Sequence, residues 1–220
     1  MKHLLCRAIF LRHGQSNYTE VFPDITEEGK RVIKESAKAI KEKWRQWGCP
    51  SLRLLSSPKA RALGSATIIK EVLEYSDEIQ ACSAISCLEC RCIEKAKEIF
   101  EGYKSAGHSL EADYPHNPLF EDGRIFEPRS TIQKRFFVFL EDFFRQSKDI
   151  KTFSLFIFVS HYEVLYNFIE SIFRNYIDKG GVLSYGELII VSLYDNFIEV
   201  EFRKQKAEIF SLRSFLPCCL

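Results

Sequence analysis

The sequence predicts an α/β domain on a mostly parallel sheet, and three observations predict it. Short apolar runs alternate with amphipathic stretches of helical spacing, which is the rhythm of strand–helix–strand units. Two of those apolar runs end in polar residues that include a histidine, and the carboxyl ends of strands are where α/β proteins bind ligands. The composition, 46% hydrophobic, 28% charged and 14% aromatic over 220 residues, is that of a globular chain and excludes disordered, collagen-like and coiled-coil classes. The length suits one domain, residues 1–220, carrying an insertion.

The first run, Cys6 to Leu11, is short and mostly apolar and leads into Arg12-His13-Gly14, as a buried strand does on reaching a loop. Thr26-Glu27-Glu28 then opens an amphipathic stretch from Gly29 to Trp47, with Val32, Ile33, Ala37, Ile40 and Trp44 at helical spacing and Gly48 as the stop. Leu52 to Leu55 reads as a second strand, Ser56-Ser57-Pro58 as a cap, and Lys59 to Leu73 as the following helix. From about residue 90 to 129 the rhythm breaks over Gly102, Gly107, Pro115, Pro118, Gly123 and Pro128, so a partly irregular lid over the sheet edge is expected. Ser130 to Arg145 returns to helical spacing, Phe153 to Ser160 is a nearly pure apolar strand running into His161, and Glu163 to Arg174 is again helical. Glu187 to Tyr194 and Phe197 to Phe202, separated by Asp195-Asn196, read as a closing hairpin.

Charge and apolar content narrow the partners. Lys plus Arg number 31 and Asp plus Glu 30, a net +1, so no overall field would hold the chain on nucleic acid. The longest apolar runs fall far short of the ~20 residues that cross a bilayer, and no membrane span is expected. After Lys2 the apolar stretch is interrupted at Arg7 with no small-residue cleavage site, which reads as a cytoplasmic start. The eight cysteines are unevenly spread, with Cys87, Cys90 and Cys92 close together, and reduced thiols are expected. Drawn with Cys82, that group has thiolates at short spacing but lacks the second pair of a zinc site, so a cluster of thiols is the reading. Pro217 stands where a lipidated cysteine would be needed before Cys218-Cys219-Leu220, so prenylation is not expected.

Histidine phosphorylation requires an imidazole held in one tautomer, cations for the phosphate oxygens and a proton donor for the leaving alkoxide. His13 stands between Arg12, a planar donor matched to phosphate, and Gly14, which permits close backbone approach.

Leu11-Arg12-His13-Gly14-Gln15-Ser16, followed by Ile25-Thr26-Glu27-Glu28-Gly29, resembles the N-terminal signature of the histidine phosphatase superfamily, also called phosphoglycerate mutase-like. Ser57-Pro58-Lys59-Ala60-Arg61-Ala62 resembles the family's Ser-Pro and helix arginine, Leu88-Glu89 its acidic residue, and Phe158-Val159-Ser160-His161 its second histidine. The resemblance runs from about Cys6 to Tyr194 and implies a three-layer α/β/α sandwich. It implies a metal-independent, histidine acid phosphatase-type hydrolase of phosphoric monoesters that needs no cofactor and acts on a small phosphorylated substrate or a phosphopeptide. By the same resemblance His13 becomes phosphohistidine, Arg12, Arg61 and a protonated His161 hold the phosphoryl group, and Glu89 protonates the leaving oxygen.

The sequence departs from the family at three places. Thr19 stands where the family commonly has Asn, and Asn17, two positions earlier, is the other candidate phosphate ligand. Gly64-Ser65-Ala66 replaces the usual Gln-Thr-Ala, a change expected to affect helix packing more than chemistry. Tyr162 replaces the usual Gly after the second histidine, where a phenol would narrow the pocket or pack outward. A cofactor-dependent phosphoglycerate mutase-type phosphotransferase and a catalytically weakened binding protein on the same fold are the alternatives. Lys95, Lys97, Lys104, His108, Arg124 and Arg129 in the insertion are candidates to meet a second anionic group of a substrate.

Overall fold

A computed structural model describes residues 3–17, 21–173 and 181–215. In chain order its main elements are β1 (Leu4–Arg12), α1 (Glu27–Trp47), β2 (Ser51–Ser56), α2 (Ala60–Leu73), β3 (Gln80–Ala81), α3 (Ile93–Ala106) and α4 (Leu110–Asp113). They continue as α5 (Arg129–Ser147), β4 (Ser154–Ser160), α6 (Tyr162–Phe173), β5 (Leu188–Tyr194), β6 (Ile198–Phe202) and β7 (Gln205–Ile209). The sheet order is β3-β2-β4-β1-β5-β6-β7. Among the described residues the pairs from β3 to β1 are parallel and those from β1 to β7 antiparallel, so the sheet is mixed, with the expected parallel arrangement confined to β3-β2-β4-β1.

The reason lies at the C-terminal end of the chain. Tight turns join β5 to β6 and β6 to β7, and a tight turn can link only antiparallel neighbours. Residues Glu187 to Phe202 were expected as a hairpin; β7 adds a third strand through Arg203 and Lys204, both at positive φ.

Each face of the sheet has its own core, set by the alternation of side chains along β1. Ile9 and Leu11 point with Leu155, Ile157 and Val159 toward Ile33, Ala37 and Ile40 of α1 and Ala62, Ala66 and Ile69 of α2. Ala8 and Phe10 point the other way, with Phe156 and Phe158, toward Phe136, Phe137 and Leu140 of α5 and Phe168 of α6. Phe10 stacks on Phe158 at 4.6 Å and meets Phe136 edge-on at 5.6 Å. Helices thus cover both faces.

Thr26 caps α1 by accepting from Gly29 N–H, and Gly48 ends the helix in the left-handed conformation. The cap expected at Ser56-Ser57-Pro58 is different: Lys59 is the N-cap of α2, and no side chain caps it. Ser57 is used elsewhere, as the site shows. The insertion is more ordered than its glycines and prolines suggest, because it contains the 14-residue α3. Its two ends are joined by hydrogen bonds from Arg91 N–H to Ile125 O (2.8 Å) and from Glu127 N–H to Glu89 O (2.8 Å). No helix among the described residues is long and apolar enough to cross a membrane.

Candidate active site

β1 and β4 are adjacent and parallel, and their register pairs Arg12 with Ser160. The residues that follow each strand therefore emerge side by side. His13 N–H donates to Ser160 O at 3.0 Å, and the His13 and His161 rings face each other edge-on at 5.0 Å. Both are deeply placed, 3% and 1% exposed.

The loop after β1 is held by close backbone contact. A Cβ on Gly14 would stand 2.7 Å from Gly29 O and 2.9 Å from Ile33 Cγ1, so only glycine fits against the start of α1. Thr26 N–H donates to Gln15 O at 3.0 Å, linking the loop to the α1 cap. Ser65 Oγ accepts from Gly14 N–H at 2.9 Å and donates to Arg61 O at 2.8 Å. The Ser65 departure from the family pattern is thus part of what positions the histidine loop.

His13 has a defined tautomer. Its Nδ1 lies 2.7 Å from Gly14 O, an acceptor, so Nδ1 carries the proton. Its Nε2 then presents a lone pair, which accepts from Arg61 Nε at 3.2 Å. Burial first, and then the charges of Arg61 and Arg12, hold the His13 pKa well below its ordinary 6.5. His161 is also held well below 6.5, by burial and then by His13, Arg61, Lys59 and Arg12, so it is neutral rather than the expected cation. Ser57 Oγ accepts from Lys59 N–H at 3.3 Å and lies 2.8 Å from His161 Nε2. With Ser57 donating to Nε2, the His161 proton sits on Nδ1, which is buried and has no partner among the described residues.

Arg12 is anchored on several sides. Its Nη1 donates to Leu183 O at 2.7 Å and its Nη2 to Glu111 Oε1 at 2.6 Å. Its guanidinium carbon stands 3.8 Å from the Tyr185 ring and 5.1 Å from that of Tyr162. Arg12 Nε is buried without a partner among the described residues. Tyr162 packs inward, 3% exposed, beside Tyr114 and Tyr166, and backs the arginine instead of narrowing an opening.

The remaining sequence candidates fall outside this group. Glu89 is exposed. Asn17 is exposed, with its backbone N–H donating to Asp24 O at 3.0 Å. Thr19 and Cys218-Cys219 lie outside the described residues. Lys95, Lys97, Lys104 and His108 are exposed, while Arg124 pairs with Asp122 and Arg129 with Glu121. Cys6, Cys49, Cys82, Cys87, Cys90 and Cys92 are free thiols, and no group of three or more His, Cys, Asp or Glu among the described residues is arranged to hold a metal ion.

Sequence reasoning missed Glu163, Glu111 and Tyr185. Glu163 lies in the first turn of α6 and within electrostatic reach of Arg61, Arg12 and Glu111; burial raises its carboxyl above the ordinary range. Its position two residues after a strand-end histidine was the available signal.

No protein-family model matches the sequence, and no curated protein sequence does. Solved structures do match. The phosphoglycerate mutase of Bacillus anthracis aligns at a TM-score of 0.62 over 98% of this chain and 96% of its own, at 14% identity. The fold is that of the histidine phosphatases. A phosphoserine phosphatase from Entamoeba histolytica aligns at 0.55, 14% identical, over 94% of this chain and 98% of its own. A mycobacterial glucosyl-3-phosphoglycerate phosphatase, solved with VO3, aligns at 0.54, 13% identical, over 89% and 97%. Identities this low establish shared architecture.

Proposed function

We propose that this protein is a metal-independent phosphomonoesterase that works through a phosphohistidine on His13. The observation that carries the reading is the His13 ring: Nδ1 is tied to the Gly14 carbonyl, and the Nε2 lone pair is directed to Arg61. A neutral, oriented imidazole among arginines is a nucleophile matched to a phosphoryl dianion.

In the first step Nε2 attacks phosphorus as Arg61 shifts its N–H to a phosphate oxygen. Arg12 Nε and His161 Nδ1, the buried unpartnered groups, take other oxygens. The P–O bond breaks, and the alkoxide takes a proton from a carboxyl. Glu163 is the better-supported donor, because burial keeps it protonated to higher pH and it lies near both arginines, whereas Glu89 is exposed. In the second step water attacks phosphorus, its proton passes to the Glu163 carboxylate, the N–P bond breaks, and inorganic phosphate leaves. Hydrolysis is favoured over transfer between two hydroxyls, since Arg124 and Arg129 are engaged with Asp122 and Glu121 rather than held for a second phosphoryl group.

The shared fold supports this chemistry, since the similar structures include phosphatases and a mutase. The test is hydrolysis of an aryl phosphate with chelator present. Turnover by the unaltered protein that is lost in His13→Ala is expected; equal rates would remove His13 as the nucleophile. A folded protein showing neither turnover nor trapped phosphoenzyme would favour the weakened binding protein.

A further inference from the structure

The insertion's cations were candidates to meet a second anionic group, yet the group it brings to Arg12 is a carboxylate. Glu111 Oε1 accepts from Arg12 Nη2 at 2.6 Å, with the two side chains 22% and 4% exposed. Its other oxygen accepts from Ser109 Oγ at 3.2 Å, and the same Ser109 caps α4 by accepting from Ala112 N–H at 3.3 Å. The carboxylate is thus aimed by the local fold of the insertion. It lies beside the unpartnered Arg12 Nε, the group that would meet a phosphate oxygen.

A phosphate arriving at Arg12 competes with Glu111 for the same guanidinium. A ligand that brings only negative charge sets like charge against this partly buried carboxylate, which is unfavourable. A zwitterionic ligand avoids this by exchanging partners, its phosphate going to Arg12 and its ammonium to Glu111. Glu163, within electrostatic reach of both arginines and Glu111, adds a second carboxyl to the same surroundings. On the insertion side an anionic arm of the substrate would meet carboxylates, since the insertion's own cations are exposed or paired elsewhere.

We propose that Glu111 makes this site selective for phosphomonoesters whose alcohol part carries an ammonium group close to the phosphate. The proposal rests on the phosphate-binding reading above. Its test uses three ligands of matched size: O-phosphoethanolamine, ethyl phosphate and phosphoglycolate, which end in an ammonium, a methyl and a carboxylate. Calorimetric Kd values are measured on full-length His13→Ala, which cannot form the phosphoenzyme, and on His13→Ala/Glu111→Gln. Phosphoethanolamine is expected to bind about tenfold or more tighter than phosphoglycolate, with ethyl phosphate between, and Glu111→Gln to shrink the span to about threefold. Ser109→Ala, a milder change, is expected to shrink it partway, and thermal melts verify folding of each variant. Equal or reversed affinities, or a span unchanged by Glu111→Gln, would overturn the proposal. Inorganic phosphate is the control. If it binds while the three ligands are not discriminated, only the role of Glu111 falls; if none of the four binds, the phosphate site falls as well.

Discussion

His13 and His161 stand at the ends of neighbouring parallel strands, whereas Glu111 reaches the same site from a four-residue helix in the insertion. The histidines are placed by a strand ladder, by the His13 N–H bond to Ser160 and by Ser57 and Ser65. Glu111 is placed by side-chain contacts, among them its ion pair with Arg12 and its bond from Ser109. Groups that must be held to a fraction of an ångström for chemistry rest on backbone hydrogen bonds, while a group that need only choose between ligands can rest on side chains. The floor should therefore govern rate, and the rim should govern which phosphoester is preferred.

The largest effect expected from breaking the floor is that of His13→Ala, which should lower kcat by at least about a thousandfold, as loss of a nucleophile does. Steady-state kinetics checks it. Arg61→Lys keeps a charge but loses the Nε–H that meets His13, and should lower kcat by roughly a hundredfold.

Glu163→Gln sharpens the contrast further. A general acid works only while protonated, and burial raises the Glu163 pKa, so kcat/KM should fall as pH rises through that raised value. The glutamine variant should lose that alkaline limb and roughly a hundredfold in rate, while Glu89→Gln should change rate by no more than about twofold. A reversed result would move the acid to the rim.

Gly14→Ala should destabilise the fold by about 1–3 kcal/mol, measured by urea unfolding, because its methyl meets Gly29 O and Ile33. Acid should act on the same floor. The unfolded chain protonates His13 and His161 near 6.5, while the folded site keeps both neutral to lower pH. The unfolded state then binds more protons, so stability is complete above about 6.5 and falls as pH drops below it. A urea midpoint lower at pH 5 than at pH 7 is the expected result.

Much of the floor was legible in the sequence because it follows from local patterns. Cys6 to Leu11 and Phe153 to Ser160 are mostly apolar runs that read as buried strands, which puts the polar residues just beyond them at a strand end. The β1–β4 adjacency also explains why sequence-distant motifs converge. Ser57 was misread as a helix cap because its local surroundings resemble one, while its tertiary partner is 104 positions away. The lowering of the His161 pKa, which runs against the cation expected there, has a similar origin: burial among Arg61, Lys59 and Arg12 has no local signature.

The sequence by itself determined the strand ends, the α1 cap and the placing of Arg12 and His13 together where β1 ends, since these depend on neighbours a few residues away. Only the tertiary structure decided that Ser65 holds Gly14, that Tyr162 turns inward behind Arg12, and that Glu111 and Glu163 share the site with the arginines. Those facts depend on which surfaces meet when the insertion and α6 pack against the sheet, and a carboxylate's neighbours across that packing leave no trace in the periodicity of its own segment.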